Sequence, residues 1–358
     1  MARFAFLAAA LSACALFPSV GDLGGSDADA DADAATAPDV TNDVTVLPDA
    51  VDEIDAPAQT LYARTITIAN GSNTLPKGYT IGVSFAESEL QAAISAGKMR
   101  SDLADLRVSG SSGERDRLVD APPLARVVWF SLAAPIAAGA TDTSYEITYG
   151  DPNASSPPAD GTKVFDFFDD FPGSSVDGSK WMTQGTVNVG GGFMTMPQGG
   201  LGAMTTLSLP PTSTVELRAK IADPTSDPDG NTGFYYWFGF QHTGDFVADD
   251  PWVVWIARDK GSVGAEQESD GCPSDCASAT QSQTTSFRYY GIERQPAQTI
   301  FSVDGAESYT TTAAINDQAL SLMIRNYLVT SDLVVDWIRA HARVYPEPAV
   351  TLGPEHVQ

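Results

Sequence analysis

The sequence has few basic residues and no long apolar run, and each of these two shortages excludes a class of protein. Only 20 lysines and arginines stand against 46 aspartates and glutamates, for a formal net charge of −26. Such an acidic chain repels nucleic acid and anionic lipid headgroups, so we exclude a nucleic-acid partner. No segment reaches the roughly 18–20 consecutive apolar residues of a membrane-spanning helix, so any membrane attachment has to come from lipid.

The first residues have the layout of an export signal. Arg3 supplies positive charge, residues 4–11 (FAFLAAAL) are apolar, and small residues precede Cys14. The quartet Leu-Ser-Ala-Cys resembles the lipobox of bacterial lipoproteins, whose cysteine thiol is alkylated with diacylglycerol. Two acyl chains anchor a protein stably. We therefore expect residues 1–13 to be a lipoprotein signal peptide and Cys14 to attach the chain to the bacterial cell envelope, at the outer membrane, the cell surface or the periplasm. The alternative is an ordinary secretory signal that contains a cysteine.

A single sign of charge dominates the next segment. From residue 15 to residue 60 there are eleven acidic residues and no basic one, and alanine, proline, threonine and valine fill most other positions. Low complexity and unbalanced charge predict a disordered chain. Residues 14–60 are therefore expected to be a lipid-anchored acidic linker that gives the domains reach.

Beyond residue 60, short alternating apolar runs broken by glycine, proline, asparagine and aspartate predict an all-β protein. We expect two β-sandwich domains at 61–153 and 164–350, joined by a linker at 154–162. One short helix is predicted near residue 90, with a capping box of Ser88 and Gln91 and a left-handed stop at Gly97. The Asp304-Gly305 pair predicts a hairpin turn.

Several motifs resemble a bacterial and archaeal β-sandwich family, a domain of unknown function that is often followed by a concanavalin A-like lectin/glucanase jelly roll, similar to laminin G modules. The motifs of the first domain are Ile66–Asn70, Leu75–Tyr79, Gly97–Met99, Ala104–Arg107 and Tyr149–Pro152, and those that follow are Phe167–Phe171, Lys180-Trp181, Phe301–Gly305 and Asp336–Arg339. Asp151 stands where relatives usually carry asparagine, and both residues favour turns. The resemblance implies a concanavalin A-like jelly roll for the second domain and implies no catalytic residues.

No catalytic motif is recognisable. Jelly-roll glucanases place two carboxylates on one strand in the pattern Glu-x-Asp-x-x-Glu, and this pattern is absent. The nearest acidic pair, Glu266 and Glu268, lies in a polar stretch that is typical of a solvated loop. None of the three histidines lies near a Gly-x-Ser-x-Gly elbow, and His341 is expected at the surface. The sequence therefore predicts that the protein is not an enzyme.

The most aromatic run, residues 234–241 (FYYWFGFQ), is the candidate binding strand. Because side chains of a strand alternate between faces, Tyr235, Trp237 and Gln241 share one face. If this face is open, the two aromatic rings are expected to stack on sugar rings and Gln241 to bind hydroxyl groups. The alternative is that both faces are packed. Trp255 is a further candidate, although the odd separation from Trp252 allows only one of the two tryptophans in the same groove.

Two loops offer weaker candidate sites. A structural calcium ion would suit the oxygen-rich loop before the aromatic strand or the pair Asp169 and Asp170; the alternative for the first loop is an ordinary turn. Cys272 and Cys276 are expected to form a disulfide, because an exported protein permits one and no further zinc ligands are near. The loop's candidate calcium ligands are Asp223, Asp227, Asp229 and Asn231.

Taken together, the sequence predicts a cell-envelope lipoprotein whose jelly roll binds a polysaccharide or cell-surface glycan without catalysis. The step from fold to ligand is an analogy. The alternative is a structural or protein-docking envelope component that has no sugar site. A glycoside hydrolase is the least favoured hypothesis.

Overall fold

The all-β architecture expected from the sequence is confirmed by a computed structural model. The structure describes residues 60–197, 199, 202–221, 235–242, 246, 251–257, 262–268, 280–282, 285–312, 317–327 and 332–358. Within these residues nearly all regular structure is β-strand, arranged in two sandwiches. No helix in these ranges is long and apolar enough to cross a membrane.

The first sandwich packs two antiparallel sheets against each other. Its strands are β1 (Tyr62–Ala69), β2 (Thr80–Ser84), β3 (Arg107–Gly110), β4 (Gly113–Arg115), β5 (Arg117–Val119), β6 (Val127–Ser131) and β7 (Thr141–Tyr149), with helix α1 (Glu87–Ser95) between β2 and β3. One sheet includes the order β1-β7-β3-β4, and the other has the order β2-β6-β5. Alternation along β1 sends Ile66 and Ile68 into the core, where they meet residues such as Phe130 and Ile147.

Helix α1 begins differently from the prediction. Its N-terminal cap is Ala86, which has no side chain able to accept a hydrogen bond, so the predicted capping box at Ser88 is wrong. Gln91 instead donates to Glu87 Oε1 at 2.9 Å along the helix surface. The predicted stop is confirmed, because Gly97 has a φ of 68° directly after the last turn.

The second sandwich is a jelly roll of two larger sheets. It begins after one 3₁₀ turn at Gly161–Lys163, and its strands are β8 (Phe167–Asp169), β9 (Trp181–Gln184), β10 (Asn188–Gly190), β11 (Phe193–Met196), β12 (Gly202–Leu209), β13 (Ser213–Ile221), β14 (Tyr235–Gln241), β15 (Trp252–Ala257), β16 (Ser262–Glu268), β17 (Thr280–Ser282), β18 (Arg288–Arg294), β19 (Thr299–Val303), β20 (Ala306–Thr311), β21 (Leu320–Tyr327) and β22 (Leu333–Ala342).

We name the two sheets by their central strands. The β13 sheet has the order β10-β11-β22-β13-β18-β19-β20, with β8 paired to β22, and the β14 sheet has the order β17-β16-β15-β14-β21-β12-β9. Large side chains such as Phe238, Trp255 and Phe301 fill the space between them. The predicted hairpin is confirmed, because Asp304 and Gly305 have φ values of 53° and 77° between β19 and β20.

The chain ends in the first sandwich and not in the second. Strands β23 (Ala349–Leu352) and β24 (His356–Val357) both pair antiparallel with β1. Position 350, the predicted end of the second domain, therefore lies inside a strand of the first sandwich. Residues 57–358 accordingly form one compact unit that contains both sandwiches.

Candidate functional site

The aromatic strand β14 alternates between two faces of its sheet. Tyr236, Phe238 and Phe240 point into the core of the jelly roll, and Trp237 and Gln241 lie on the opposite face. Tyr235 pairs through its backbone with Tyr327. Strand periodicity therefore assigns the faces of the described side chains correctly.

The face that carries Trp237 is covered in this structure. Trp237 is only 5% exposed, and its indole contacts the Trp252 ring edge-on at 5.1 Å between centroids. The Arg325 guanidinium lies 5.6 Å from the Trp237 ring, and Phe246 packs against the same cluster. Both the ring and the fully buried Gln241 are thus removed from solvent, and the open groove that would hold a sugar is closed here.

Trp255 and Trp252 lie on opposite faces of β15, as their spacing requires. Trp255 is completely buried in the main core, and its Nε1 donates to the Gly291 carbonyl at 3.1 Å. Trp252 is the tryptophan that shares a face with Trp237. Trp255 is therefore placed away from the aromatic face on which the sequence placed the candidate site.

Glu266 and Glu268 lie on a strand, so the loop predicted for them is wrong. Strand β16 pairs with β15, with Glu266 opposite Val254 and Glu268 opposite Trp252. Since directly opposed residues share a face, both acidic positions belong to the face that carries Trp237. The polar composition of this strand hid its β-structure, because an edge-side strand needs few apolar residues.

Of the candidate metal and disulfide residues, only Asp169 and Asp170 lie in the described ranges. Asp169 Oδ2 accepts from Trp181 Nε1 at 2.7 Å, and Asp169 Oδ1 accepts from the Phe171 amide at 3.1 Å and lies 3.4 Å from Lys180 Nζ. No metal-binding group of three acidic, histidine or cysteine residues occurs in the part of the chain that the structure describes. The other candidates lie outside the described residues: Cys14, Asp223, Asp227, Asp229, Asn231, Cys272 and Cys276.

A buried arginine joins the two sandwiches. Arg339 on β22 donates from Nη1 and Nη2 to Asp120 of the first sandwich, at 2.6 and 3.1 Å, and from Nε to Glu216 on β13 at 2.7 Å. Its guanidinium lies 5.1 Å from the rings of Trp129, Phe165 and Trp337. Burial lowers the pKa of Arg339, but the charges of Glu216 and Asp120 outweigh this effect and raise the pKa above its usual range.

Beside Arg339 the two sandwiches enclose a polar cleft of about 250 Å³, which we call the junction cleft. Trp129 of the first sandwich forms one wall, and the outer face of the β13 sheet forms the rest. The polar lining residues on that sheet or directly after it are Thr214, Glu216, Glu293, Ser302, Glu307, His341 and Arg343. This arrangement of an aromatic wall, hydroxyl groups and charged groups is suited to binding a small polar molecule.

His341 lines the junction cleft and is not the surface residue predicted from the sequence. It is only 3% exposed, because the rings of Trp129 and Phe165 lie 5.6 and 5.8 Å from its imidazole. Burial, followed by the charges of Arg343 and Arg339, holds the pKa of His341 well below its usual value, so the ring is neutral at pH 7. Its Nδ1 has no hydrogen-bond partner among the described residues.

The carboxylate of Glu293 is fixed by its neighbours. Glu293 Oε1 accepts from Tyr345 Oη and from Gln295 Nε2, both at 2.6 Å, and Glu293 Oε2 accepts from Arg343 at 3.3 Å. Arg343 also donates to Thr214 Oγ1 at 3.2 Å. These bonds hold the acidic side of the junction cleft in one geometry.

A larger groove of about 500 Å³ lies in the first sandwich between α1, β1 and the residues before β24. Arg64 pairs there with Glu89 at 3.0 Å, and Lys98 pairs with Glu355. Tyr149 Oη donates to Glu355 at 2.6 Å. Its charges are already matched in pairs, and this groove gives no indication of what would occupy it.

The protein is thus an all-β double sandwich that has a polar cleft where the two sandwiches meet. Residues 124–184 match a family described as a domain of unknown function (DUF2341). This match includes the Tyr149–Pro152, Phe167–Phe171 and Lys180-Trp181 motifs and bears out the expected family over that segment. No curated protein matches the chain.

Solved structures similar to this chain include three glucanases, each at low identity. The laminarinase catalytic domain of Thermotoga petrophila is 12% identical with a TM-score of 0.39, over 49% of this chain and 96% of that chain. The endo-β-1,3-glucanase of Pyrococcus furiosus is 13% identical with a TM-score of 0.41, over 50% and 94%. The β-glucanase of Bacillus licheniformis is 16% identical with a TM-score of 0.36, over 49% and 98%.

Replacing Arg339 with methionine is expected to destabilise the protein by about 3–5 kcal/mol, because the buried carboxylate of Asp120 and the half-buried carboxylate of Glu216 would lose their cationic partner. The matched control is Arg218→Met on the same sheet, where the arginine pairs with Asp336 and its side chain is 33% exposed. That change is expected to cost less than about 1 kcal/mol. Urea unfolding of both variants measures the difference, and equal losses would contradict the central position given to Arg339.

Proposed function

We propose that this chain is a cell-envelope lipoprotein whose double sandwich binds a glycan without catalysing a reaction. The single observation that carries the binding role is the junction cleft, where Trp129, Thr214 and Ser302 lie beside charged side chains. Aromatic walls, hydroxyl groups and fixed charges are the chemistry that recognises a polyhydroxylated ring. The cleft replaces the covered Trp237 face as the proposed site.

The size of the junction cleft limits the ligand. Its volume of about 250 Å³ is below the roughly 300 Å³ at which sites for drug-sized molecules begin. A single sugar ring fits this limit better than an oligosaccharide does. We therefore propose that the cleft takes one terminal or protruding residue of a glycan, whose remaining residues stay outside.

Two observations support a role without catalysis. On the outer face of β15, the strand beside β14, the residues are Trp252, Val254 and Ile256, all apolar and buried. In the junction cleft, Glu216 and Glu293 are each already bound by an arginine. Neither place offers a described pair of carboxylates that is free to attack and protonate a glycosidic bond, so the glycoside hydrolase hypothesis would have to act through the positions of Glu266 and Glu268 on β16.

A second function is favoured by the covered aromatic face. Trp237, Trp252 and Met323 form an apolar cluster on the second face of the β14 sheet, which is the packing expected of a structural element. This packing supports the alternative of a structural or protein-docking envelope component. That alternative becomes the leading function if the junction cleft binds no glycan.

Attachment to the membrane is proposed to depend on Cys14, which follows the apolar segment and small residues of the export signal. Cys14→Ser is expected to remove fatty-acid labelling and to move the protein from the membrane fraction to the soluble fraction, since no thiol remains to alkylate. Ser12→Ala keeps a small residue before the cysteine and is expected to remain in the membrane fraction. A Cys14→Ser protein that stays with the membranes would refute the lipid anchor.

Glycan binding is tested with the full chain on a broad polysaccharide and oligosaccharide panel, in a detergent that carries no sugar headgroup. Ser302→Phe places a phenyl group in the junction cleft and is expected to weaken binding by about tenfold or more, because it occupies the space of the ligand. The control is Ser144→Phe, at an exposed serine on β7 of the first sandwich. Binding that survives Ser302→Phe would exclude the cleft, and the absence of binding to every glycan would refute the proposed function.

A further inference from the structure

We infer that the junction cleft selects a glycan that carries a free amine, so that its ligand is an amino sugar in the ammonium form. This inference rests on the proposed glycan-binding function and names the chemical class of the ligand at the same site. It is drawn from the charges that line the cleft and from the one lining carboxylate for which no arginine partner is found among the described residues.

The charges lining the cleft are unequal. Glu216, Glu293 and Glu307 contribute three carboxylates, and Arg343 contributes the one guanidinium among the lining residues described. This leaves two negative charges in excess. The nearby Arg339 does not remove the excess, because Asp120 lies within 2.6 Å of it and brings a further negative charge. An ammonium group is the ligand feature that would balance such a lining.

The histidine of the cleft adds no positive charge. His341 is neutral for the reasons of burial and neighbouring charge given above, so it does not repel a cation. A neutral imidazole has one acceptor nitrogen and one donor nitrogen. Its Nδ1 has no partner among the described residues, but this atom is closed off from solvent, so His341 serves in the cleft as an uncharged part of the wall.

Glu307 is the carboxylate best placed to meet an incoming ammonium group. Glu307 lies at the cleft side of β20, opposite Ser302 on β19. Its Oε1 accepts from Thr310 Oγ1 at 2.7 Å, and no ion pair within 4 Å is found for it among the described residues. Glu216 and Glu293, in contrast, each lie within 3.3 Å of an arginine. Glu307 is therefore the lining carboxylate whose negative charge is not already balanced by a described arginine.

The net charge of the whole protein also favours a positively charged ligand. With a formal net charge of −26, the protein attracts cations towards its surface and repels uronic acids and sulfated glycans. This long-range attraction raises the rate of encounter and is screened by salt over about 8–10 Å. Selection between neutral and cationic sugars has to come from the cleft itself, which makes it testable by substitution.

The test compares two oligosaccharides of equal length that differ only in the nitrogen substituent: β-1,4-linked glucosamine oligomers and their fully N-acetylated counterparts. Binding to the full chain is measured by calorimetry at pH 6 and moderate salt, where the amines carry protons. We expect the glucosamine oligomer to bind at least about tenfold more tightly, as one charge-assisted hydrogen bond would provide. Equal affinity, or tighter binding of the acetylated oligomer, would overturn the inference.

Two matched variants separate the cleft from the general negative charge. Glu307→Gln removes one cleft carboxylate and keeps its shape, whereas Glu87→Gln makes the same change in net charge on α1, in the other sandwich. We expect Glu307→Gln to weaken glucosamine binding about tenfold and Glu87→Gln to leave it within about twofold. Equal weakening by both would show attraction to a polyanion and would overturn the inference.

The failure of this inference is distinguishable from the failure of the proposed function. If a neutral glycan of the panel binds and Ser302→Phe abolishes that binding, while the glucosamine oligomer does not bind, then the cleft is a sugar site and the amino-sugar inference is refuted. If no glycan of any kind binds, the proposed function is refuted, and the inference with it.

Discussion

Arg339 pairs with carboxylates from both sandwiches and so ties the two together through one buried guanidinium. A guanidinium that is nearly completely buried cannot be hydrated, so its stability requires negative partners at fixed positions. Asp120 supplies one from the first sandwich and Glu216 supplies the other from β13. Because a guanidinium binds carboxylates through a planar fork, these bonds restrict the orientation of the sandwiches as well as their distance.

The aromatic rings around Arg339 extend this constraint. Trp129 donates from Nε1 to Asp120 Oδ2 at 2.7 Å and also forms a wall of the junction cleft, so one side chain fixes the ion pair and shapes the candidate site. After β22 the chain returns from the second sandwich to the first. Val344 donates its amide to Tyr79 Oη at 3.2 Å, and Asn73 donates to the Tyr345 carbonyl at 2.8 Å before β23 joins β1. The cleft is therefore bordered by elements that are held at several points.

Sequence reasoning succeeded where local periodicity decides the outcome. The β-class, the alternation along β14 and the Asp304-Gly305 turn follow from patterns that span a few residues, and the structure contains each of them. The prediction that Gly97 ends helix α1 succeeded for the same reason. These features depend on side-chain direction and backbone sterics, which are properties of short segments.

Sequence reasoning failed where distant segments meet. The strand pattern predicted the face of Trp237 but could not say that Met204 and Met323 from other strands would bury it. His341 had no local signal of burial, because the rings of Trp129 and Phe165 that cover it lie far away in the chain. The pairing of β23 with β1 was missed because the alternation of side chains along a strand does not specify which sheet that strand joins. The junction cleft is lined by residues from several distant strands and from both sandwiches, so no local pattern in the sequence pointed to it.

These contacts are expected to make the two sandwiches one cooperative unit, and calorimetric unfolding of residues 57–358 measures this cooperativity. Leu352→Asp charges a β23 side chain that packs on the core of the first sandwich, whereas Thr351→Asp alters its exposed neighbour and serves as the control. We predict one transition with equal calorimetric and van't Hoff enthalpies, moved as a whole to lower temperature by Leu352→Asp only. Two transitions, with Leu352→Asp moving one and leaving the other in place, would show that the sandwiches unfold independently.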